Sequence, residues 1–445
     1  MGVQPCEIEF DRFLLLIGEQ ASGKSTIAKL IYFFQSLPDA FYRRIILAKN
    51  RKEEHNEQKH EVSVIGDAFF EMFGGAFIND FKIEYHYNNL LSVSVYRNEI
   101  TKVKNKIITV GILSPDAKSN LRGILRSYLN PQKNILSAID SDEVFLRQNL
   151  LNDVNEIFSC KTSNHNYLIA GRNNVVAYPD YFERKAQEDT QRLLNEKAQQ
   201  QNLRYNTLNG NEKLLLEFIN WSSDIRKYFQ NNGSTFNAIK PSLENKSALT
   251  IFEKITEKIL KGEYRHDSNG EYLNINEKER VQMKDASSGQ QEALRILQGF
   301  FLSIGLKNRR EFFVVEEPEA HLYPLAQKEL INAFALFLNT IKEGRLIITT
   351  HSPYILACVN ILLFANYVAN ELPEAGKEVL ESVQKEFWLD SKMFSAYSLG
   401  HGEVYCTNIK DSETGLIDQT YLDAISEQLG TQYYHLYNLL VKNHA

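Results

Sequence analysis

Residues 13–34 read FLLLIGEQASGKSTIAKLIYFF, and no other stretch narrows the fold of the chain so far. An apolar strand, Phe13 to Ile17, runs into Gly18, and a helix opens around Lys24. That is the strand, glycine loop and helix order of a phosphate-binding loop. The spacing of Gly18, Gly23, Lys24 and Ser25 matches GxxxxGK[ST]. Glycine lets the backbone wind close, so that amide N–H groups and the helix N-terminus face phosphate oxygens. Lys24 then reaches the β and γ phosphates, and Ser25 offers a hydroxyl to magnesium.

Such a loop needs acidic side chains at a second strand end, to hold magnesium through water and to polarise an attacking water. The run FFVVEEPEAHL meets that need: Phe312 to Val315 would be buried in a sheet, leaving Glu316 and Glu317 at its carboxyl end. Aspartate is usual at the first position, and glutamate moves the carboxylate by about 1.5 Å, one carbon–carbon bond. Upstream, Ser287, Ser288 and Gly289 precede a strongly helical run and form an anion-binding helix cap. Downstream, a strand over Leu346 to Ile348 ends in Thr349, Thr350 and His351, with Pro353 preventing its continuation.

Composition bounds the rest. The 445 residues, 43% hydrophobic and of net charge −6, can bury a large core and divide into two or three units. No apolar run reads as long enough to span a bilayer and no secretory leader is evident, so a cytoplasmic protein without a membrane segment is expected. Cys6, Cys160, Cys358 and Cys406 form no CxxC pair, which argues against zinc and fits reduced thiols. The acidity weighs against a dedicated nucleic-acid binder, although FYRRIILAKNRK and KVKNK are locally basic.

The stretch between Ser25 and Ser287 is far longer than a sheet crossover needs, so a second unit is inserted there. The expected division is an N-terminal lobe over 1–112, a mainly helical insertion over 113–261, a C-terminal lobe over 262–360 and a cap over 361–445. Within the insertion, Tyr181 to Phe229 reads as a helical hairpin turning at Asn206 to Asn211, either a short coiled coil or a compact subdomain. A β-hairpin turning at Asn269-Gly270 returns the chain to the lobe before Ser287.

With these motifs in place, the sequence resembles the ABC-type ATPases of the SMC, RecF and OLD group, most closely the AAA-15/AAA-21 type. GEQASGKST looks like their Walker A, ASSGQQ their signature, FFVVEEPEAHLYP their Walker B and D-loop, and TTHSP their switch-histidine segment. The resemblance implies an α/β P-loop ATPase head with a helical insertion, using ATP and Mg2+. By the same resemblance Lys24, Ser25 and Thr26 grip phosphates and metal, with Glu316 on the metal's side. Glu317 would be the catalytic base and His351 the γ-phosphate sensor. Ser287, Ser288 and Gly289 would complete the site of an opposite subunit, with Glu319 and His321 at the dimer seam. The glutamine of the family's Q-loop stays open between Gln132 and Gln148. YLIAGRN also resembles a segment of the group, and no sequence argument gives Arg172 a role.

The expected function is an ATP-switched dimer or higher oligomer that controls an effector encoded nearby, resembling the ATPase subunits of two-gene phage-defence systems such as PARIS and Septu. The alternative is a RecF-like or SMC-like DNA-binding repair or maintenance ATPase, and DNA finds no support in the net charge. Nuclease domains of OLD type carry an Asp-x-Asp pair after the ATPase. Here Asp140-Ser141-Asp142 lies in the insertion, so no nuclease activity is expected of this chain.

Overall fold

The structure is a computed structural model that describes residues 4–51, 164–199, 210–307, 311–400 and 404–418, with shorter pieces between 65 and 158. Gln132, Gln148, Asp140, Asp142 and Cys160 lie outside the described residues. So do residues 206–209 of the expected hairpin turn and the part of the expected cap from 419 onward.

Along the chain, β1 (Phe13–Gly18) passes through the glycine loop into α1 (Lys24–Arg51). An antiparallel sheet follows, made of β2 (Phe81–His86), β3 (Ser92–Arg97) and β4 (Val110–Leu113). Next come β5 (Asn164–Leu168), α2 (Asn173–Ala177), α3 (Pro179–Gln199), α4 (Gly210–Asn232) and α5 (Lys246–Leu260). Strands β6 (Glu263–Asp267), β7 (Gly270–Asn274) and β8 (Arg280–Gln282) form a small antiparallel sheet leading to α6 (Ser288–Gly305). Then β9 (Glu311–Glu316), α7 (Pro324–Thr340), β10 (Arg345–Thr350) and α8 (Pro353–Glu371) alternate, before β11 (Phe394–Leu399) and β12 (Cys406–Asn408).

The main sheet has six strands in the order β12-β11-β1-β10-β9-β5. Every neighbouring pair is parallel except β11 with β12. Its register brings Leu16 beside Thr349, and Thr349 beside Glu316. The carboxyl ends of β1, β10 and β9 therefore finish along one edge, where open α/β sheets bind their ligands.

Both faces of this sheet are covered, so its strands are continuous apolar runs rather than alternating ones. Phe13, Leu15, Phe313, Val315, Leu346 and Ile348 pack on one face with Leu297 and Phe300 of α6 and Phe334 and Phe337 of α7. Leu14, Leu16, Phe312, Val314 and Ile347 pack on the other with Ile27, Ile31 and Phe34 of α1 and Val93 and Val95 of β3.

Two sequence expectations meet detail here. The span 113–261, expected as an insertion, supplies β5 to the main sheet, with Tyr167 beside Val314. Its helix α4 packs Phe218, Ile219, Ile225 and Phe229 into the same core as α6. The expectation that no apolar run is long enough to span a bilayer is corrected by α8, which by length and composition is. Its Ile355, Leu356, Val359, Leu362 and Leu363 are buried in the core, so one face of it serves packing.

Candidate functional site

The loop after β1 is shaped by close approaches. A Cβ added at Gly18 would lie 2.0 Å from the carbonyl oxygen of Leu399 on β11, a space only glycine fits. The Gly23 carbonyl accepts from Ile27 N–H at 3.0 Å and starts α1 at Lys24. Lys24 is buried, and its Nζ donates to the carbonyls of Gly18 at 2.7 Å and Glu19 at 2.6 Å. Burial lowers its pKa against the opposing pull of Glu317 and Glu319. Ser25 and Thr26 follow, half-buried in the first turn of the helix.

Glu316 ends β9 and is buried. Its Oε1 accepts from the Tyr167 hydroxyl at 2.7 Å and its Oε2 from Ala170 N–H at 3.2 Å. Burial, reinforced by this carboxylate, raises the Tyr167 hydroxyl well above its ordinary value, so the phenol stays a donor. Glu317 differs in kind. It takes a left-handed φ of 44°, uncommon for a side chain with a Cβ, and its N–H donates to the Thr349 carbonyl at 2.8 Å. That turn brings its Oε1 within 2.8 Å of His351 Nε2.

His351 links the loop to the strand end. Its Nδ1 lies 3.2 Å from Lys24 Nζ and 3.0 Å from the Gly18 carbonyl. A proton on Nε2 would be donated to Glu317 and leave Nδ1 to accept from Lys24, whereas a proton on Nδ1 would be donated to the Gly18 carbonyl. Glu319, expected at a dimer seam, has one oxygen engaged within its own chain: Oε1 accepts from the Thr350 hydroxyl at 2.6 Å and from His351 N–H at 2.8 Å. Its Oε2 is buried without a hydrogen-bond partner among the described residues.

Ser287 caps α6 in a capping box with Gln290, and Ser287 and Ser288 are both exposed. Gly289 is buried, and a Cβ there would sit 2.5 Å from the His321 carbonyl oxygen. Its lack of a side chain thus serves packing against the loop after Glu317 as well as any anion. None of the hydrogen bonds of Lys24, Glu317 or His351 among the described residues reaches Ser287, Ser288 or Gly289.

The segment YLIAGRN, noted in the sequence without a role for Arg172, brings three groups here: Tyr167, Ala170 N–H and Arg172. All follow from β5 running parallel beside β9. Arg172 is fully buried. Its Nη1 donates to the carbonyls of Ile169 and Glu316, both at 2.8 Å, and its Nη2 to the Glu317 carbonyl at 3.2 Å. Its Nε donates to the Glu292 carbonyl on α6 at 3.2 Å and lies 3.1 Å from the Glu292 carboxylate. Burial raises the pKa of Glu292 against the pull of Arg172. An arginine buried this deeply is stable only while its donors are matched, and breaking such a set costs about 3–5 kcal/mol.

The donors present suit magnesium that arrives with a nucleotide. Among the described residues no three His, Cys, Asp or Glu side chains form a metal cage. Ser25 and the carboxylates at the end of β9 offer one or two oxygens, and magnesium takes its remaining ligands from phosphates and water. When bound, it would neutralise charge on the phosphates.

Residues 2–356 match the family model of the AAA ATPase domain. Among solved structures the chain is similar to the crystal structure of the SmcHead bound to the C-winged helix domain of ScpA. The identity is 14% over 79% of this chain and 86% of that one, with a TM-score of 0.35, a likeness too loose to define the fold. No curated protein matches the chain.

Proposed function

The chain belongs to the AAA ATPase domain family, and from that premise we propose that it hydrolyses ATP with Glu317 as base, in sites completed by pairing two heads. Gly18, Gly23, Lys24, Ser25 and Thr26 bind the phosphates, and Ser25 and Glu316 serve Mg2+, Glu316 through water. His351 senses the γ-phosphate and orients Glu317, with which it shares a 2.8 Å contact. A carboxylate there can take a proton from water as water attacks the γ-phosphorus.

The observation that carries head pairing is the cap of α6. Ser287 and Ser288 are exposed, and no side chain of this chain's own phosphate site bonds to them. Tyr323 and Leu325 flank the loop that Gly289 packs against and are 74% and 69% exposed, apolar area suited to a second head. Each cap would complete the site of the other subunit.

The closed dimer or higher oligomer then presents its helical insertion to an effector encoded nearby, in bacterial anti-phage defence. A cytoplasmic address goes with that reading. Purification from the native host decides between this and a RecF-like DNA ATPase: a co-eluting protein supports the first, nucleic acid alone the second.

Head pairing is tested by complementation. Gly289→Asp would collide with the His321 carbonyl, so Ser288→Asp is the cleaner lesion. Its carboxylate suits the helix N-terminus and repels a phosphate. Lys24→Ala and Ser288→Asp should each be inactive, and mixed they should recover a fraction of wild-type turnover, since one site of the heterodimer keeps both halves intact. If proven heterodimers stay inactive, crosslinking through cysteines beside Ser25 and Ser288 tells whether the cap serves its own subunit or both sites must fire together.

A further inference from the structure

Arg172 stands where three segments meet: the end of β5, the turn after β9 and the first turns of α6. We infer that Arg172 is a positioning residue for hydrolysis, holding the Glu316–Glu317 backbone against α6 so that the Glu317 carboxylate keeps its aim. The inference rests on Glu317 being the base.

What the guanidinium grips is backbone. It binds the carbonyls of Glu316 and Glu317, not their carboxylates, and so fixes the peptide planes on which the second carboxylate is mounted. Glu317 is pinned from both sides, its N–H by the Thr349 carbonyl and its C=O by Arg172 at 3.2 Å together with Ala320 N–H at 3.1 Å within the turn. Between those anchors the residue holds φ 44°, a conformation that persists in an L-residue only when its surroundings impose it. With both peptides fixed, the Cα–Cβ bond can point only one way, and it delivers Oε1 to His351.

The other end of the guanidinium grips α6. Glu292 lies one turn beyond Ser288, and both its carbonyl and its carboxylate lie within 3.2 Å of Nε. Any shift of the α6 cap relative to β9 must stretch the hydrogen bond to the Glu292 carbonyl and part the ion pair with its carboxylate, so the two are held in step. Lysine cannot do this work, because a single ammonium cannot address acceptors in the plane and directions that a guanidinium fork spans. A second fully buried arginine, Arg295, sits on the same helix and shows what a packing role looks like. It binds Glu271 through two bonds of 2.7 and 2.6 Å, with Ser222 and Gln298 beside it, and none of its hydrogen bonds reaches the turn.

The test compares Arg172→Lys, Arg295→Lys and Glu317→Gln, measuring kcat, KM and ATP affinity well below each melting temperature. Arg172→Lys should lower kcat by about 10- to 100-fold while ATP affinity stays within about threefold. Combined with Glu317→Gln it should add no further loss, because it acts through Glu317. Arg295→Lys should lower the melting temperature without a selective fall in kcat. The inference is overturned by wild-type kcat in Arg172→Lys, by a full additional loss in the double variant, or by an equally selective loss in Arg295→Lys. If Arg172→Lys does not fold, Glu292→Gln carries the test, with kcat expected to fall about three- to tenfold at unchanged affinity and a wild-type rate overturning it. Wild-type turnover by Glu317→Gln is a separate result, since it removes the base assignment itself.

Discussion

Glu316 and Glu317 are the same side chain one residue apart, and the fold gives them opposite conditions. Glu316 belongs to the sheet, buried, with a donor on each carboxylate oxygen. Glu317 belongs to the turn, half-buried in a strained backbone, with one oxygen on a histidine that also touches the phosphate loop. A carboxylate anchored at both oxygens has little freedom to accept a proton from water. One anchored through its backbone keeps its side chain available. On the proposed assignment the pair divides the work, Glu316 fixing the strand end on the metal's side and Glu317 facing the attacking water.

The largest expected effect comes from removing the available carboxylate. Glu317→Gln should lower turnover by at least about 100-fold while ATP still binds, as read by phosphate release beside nucleotide titration. Turnover near the wild-type rate would dissolve the contrast.

Removing the anchored carboxylate should damage both activity and stability. Glu316→Ala leaves the buried Tyr167 hydroxyl without its acceptor, a cost of about 1–3 kcal/mol, and frees the N–H of the exposed Ala170, alongside lost turnover. Glu316→Asp keeps a carboxylate but falls short of Tyr167 by about 1.5 Å, so it should retain much of the turnover at reduced stability. Denaturant midpoints and magnesium titrations of the two variants check this, and a Glu316→Ala protein as stable as wild type would remove Glu316 from the sheet's scaffold.

The smallest effect should come from Tyr167→Phe. It frees one oxygen of Glu316 and removes a hydrogen bond to a charged group, a loss of about 1.5–3 kcal/mol at most, and turnover should change by less than about tenfold. A fall in activity as deep as that of Glu317→Gln would mean that the first carboxylate, not the second, is the reactive one.

What could be read beforehand was whatever is local in sequence. The strand before Gly18, the helix from Lys24, the strand ends at Glu316 and Thr350 and the cap at Ser287 all show in runs of a few residues, because apolar strands and capped helices have short signatures. What escaped was whatever depends on which strands become neighbours. Tyr167 and Arg172 meet Glu316 only because β5 lies beside β9, a pairing across 147 residues in the case of Val315 with Leu168. Besides the likeness of YLIAGRN to a segment of the group, the sequence offered an arginine directly behind the apolar stretch YLIAG, where a charge is expensive unless matched. Gly289 was legible as part of a cap, whereas its contact with the His321 carbonyl depends on how α6 meets the loop after β9.

The order of strands in the main sheet has a consequence for how the protein is made. β1 is flanked by β10 and β11, so Phe13 pairs with Leu346 on one side and with Phe394 on the other. A ribosome delivers Phe13 to Ile17 long before both of its neighbours. Until then an apolar strand has no parallel partner, and contacts so distant in sequence form slowly and expose aggregating surface meanwhile. The phosphate loop is thus encoded first and completed late. A chain stopped before these two strands carries the motif without the sheet that shapes it, which ties nucleotide binding to segments made long after the loop itself.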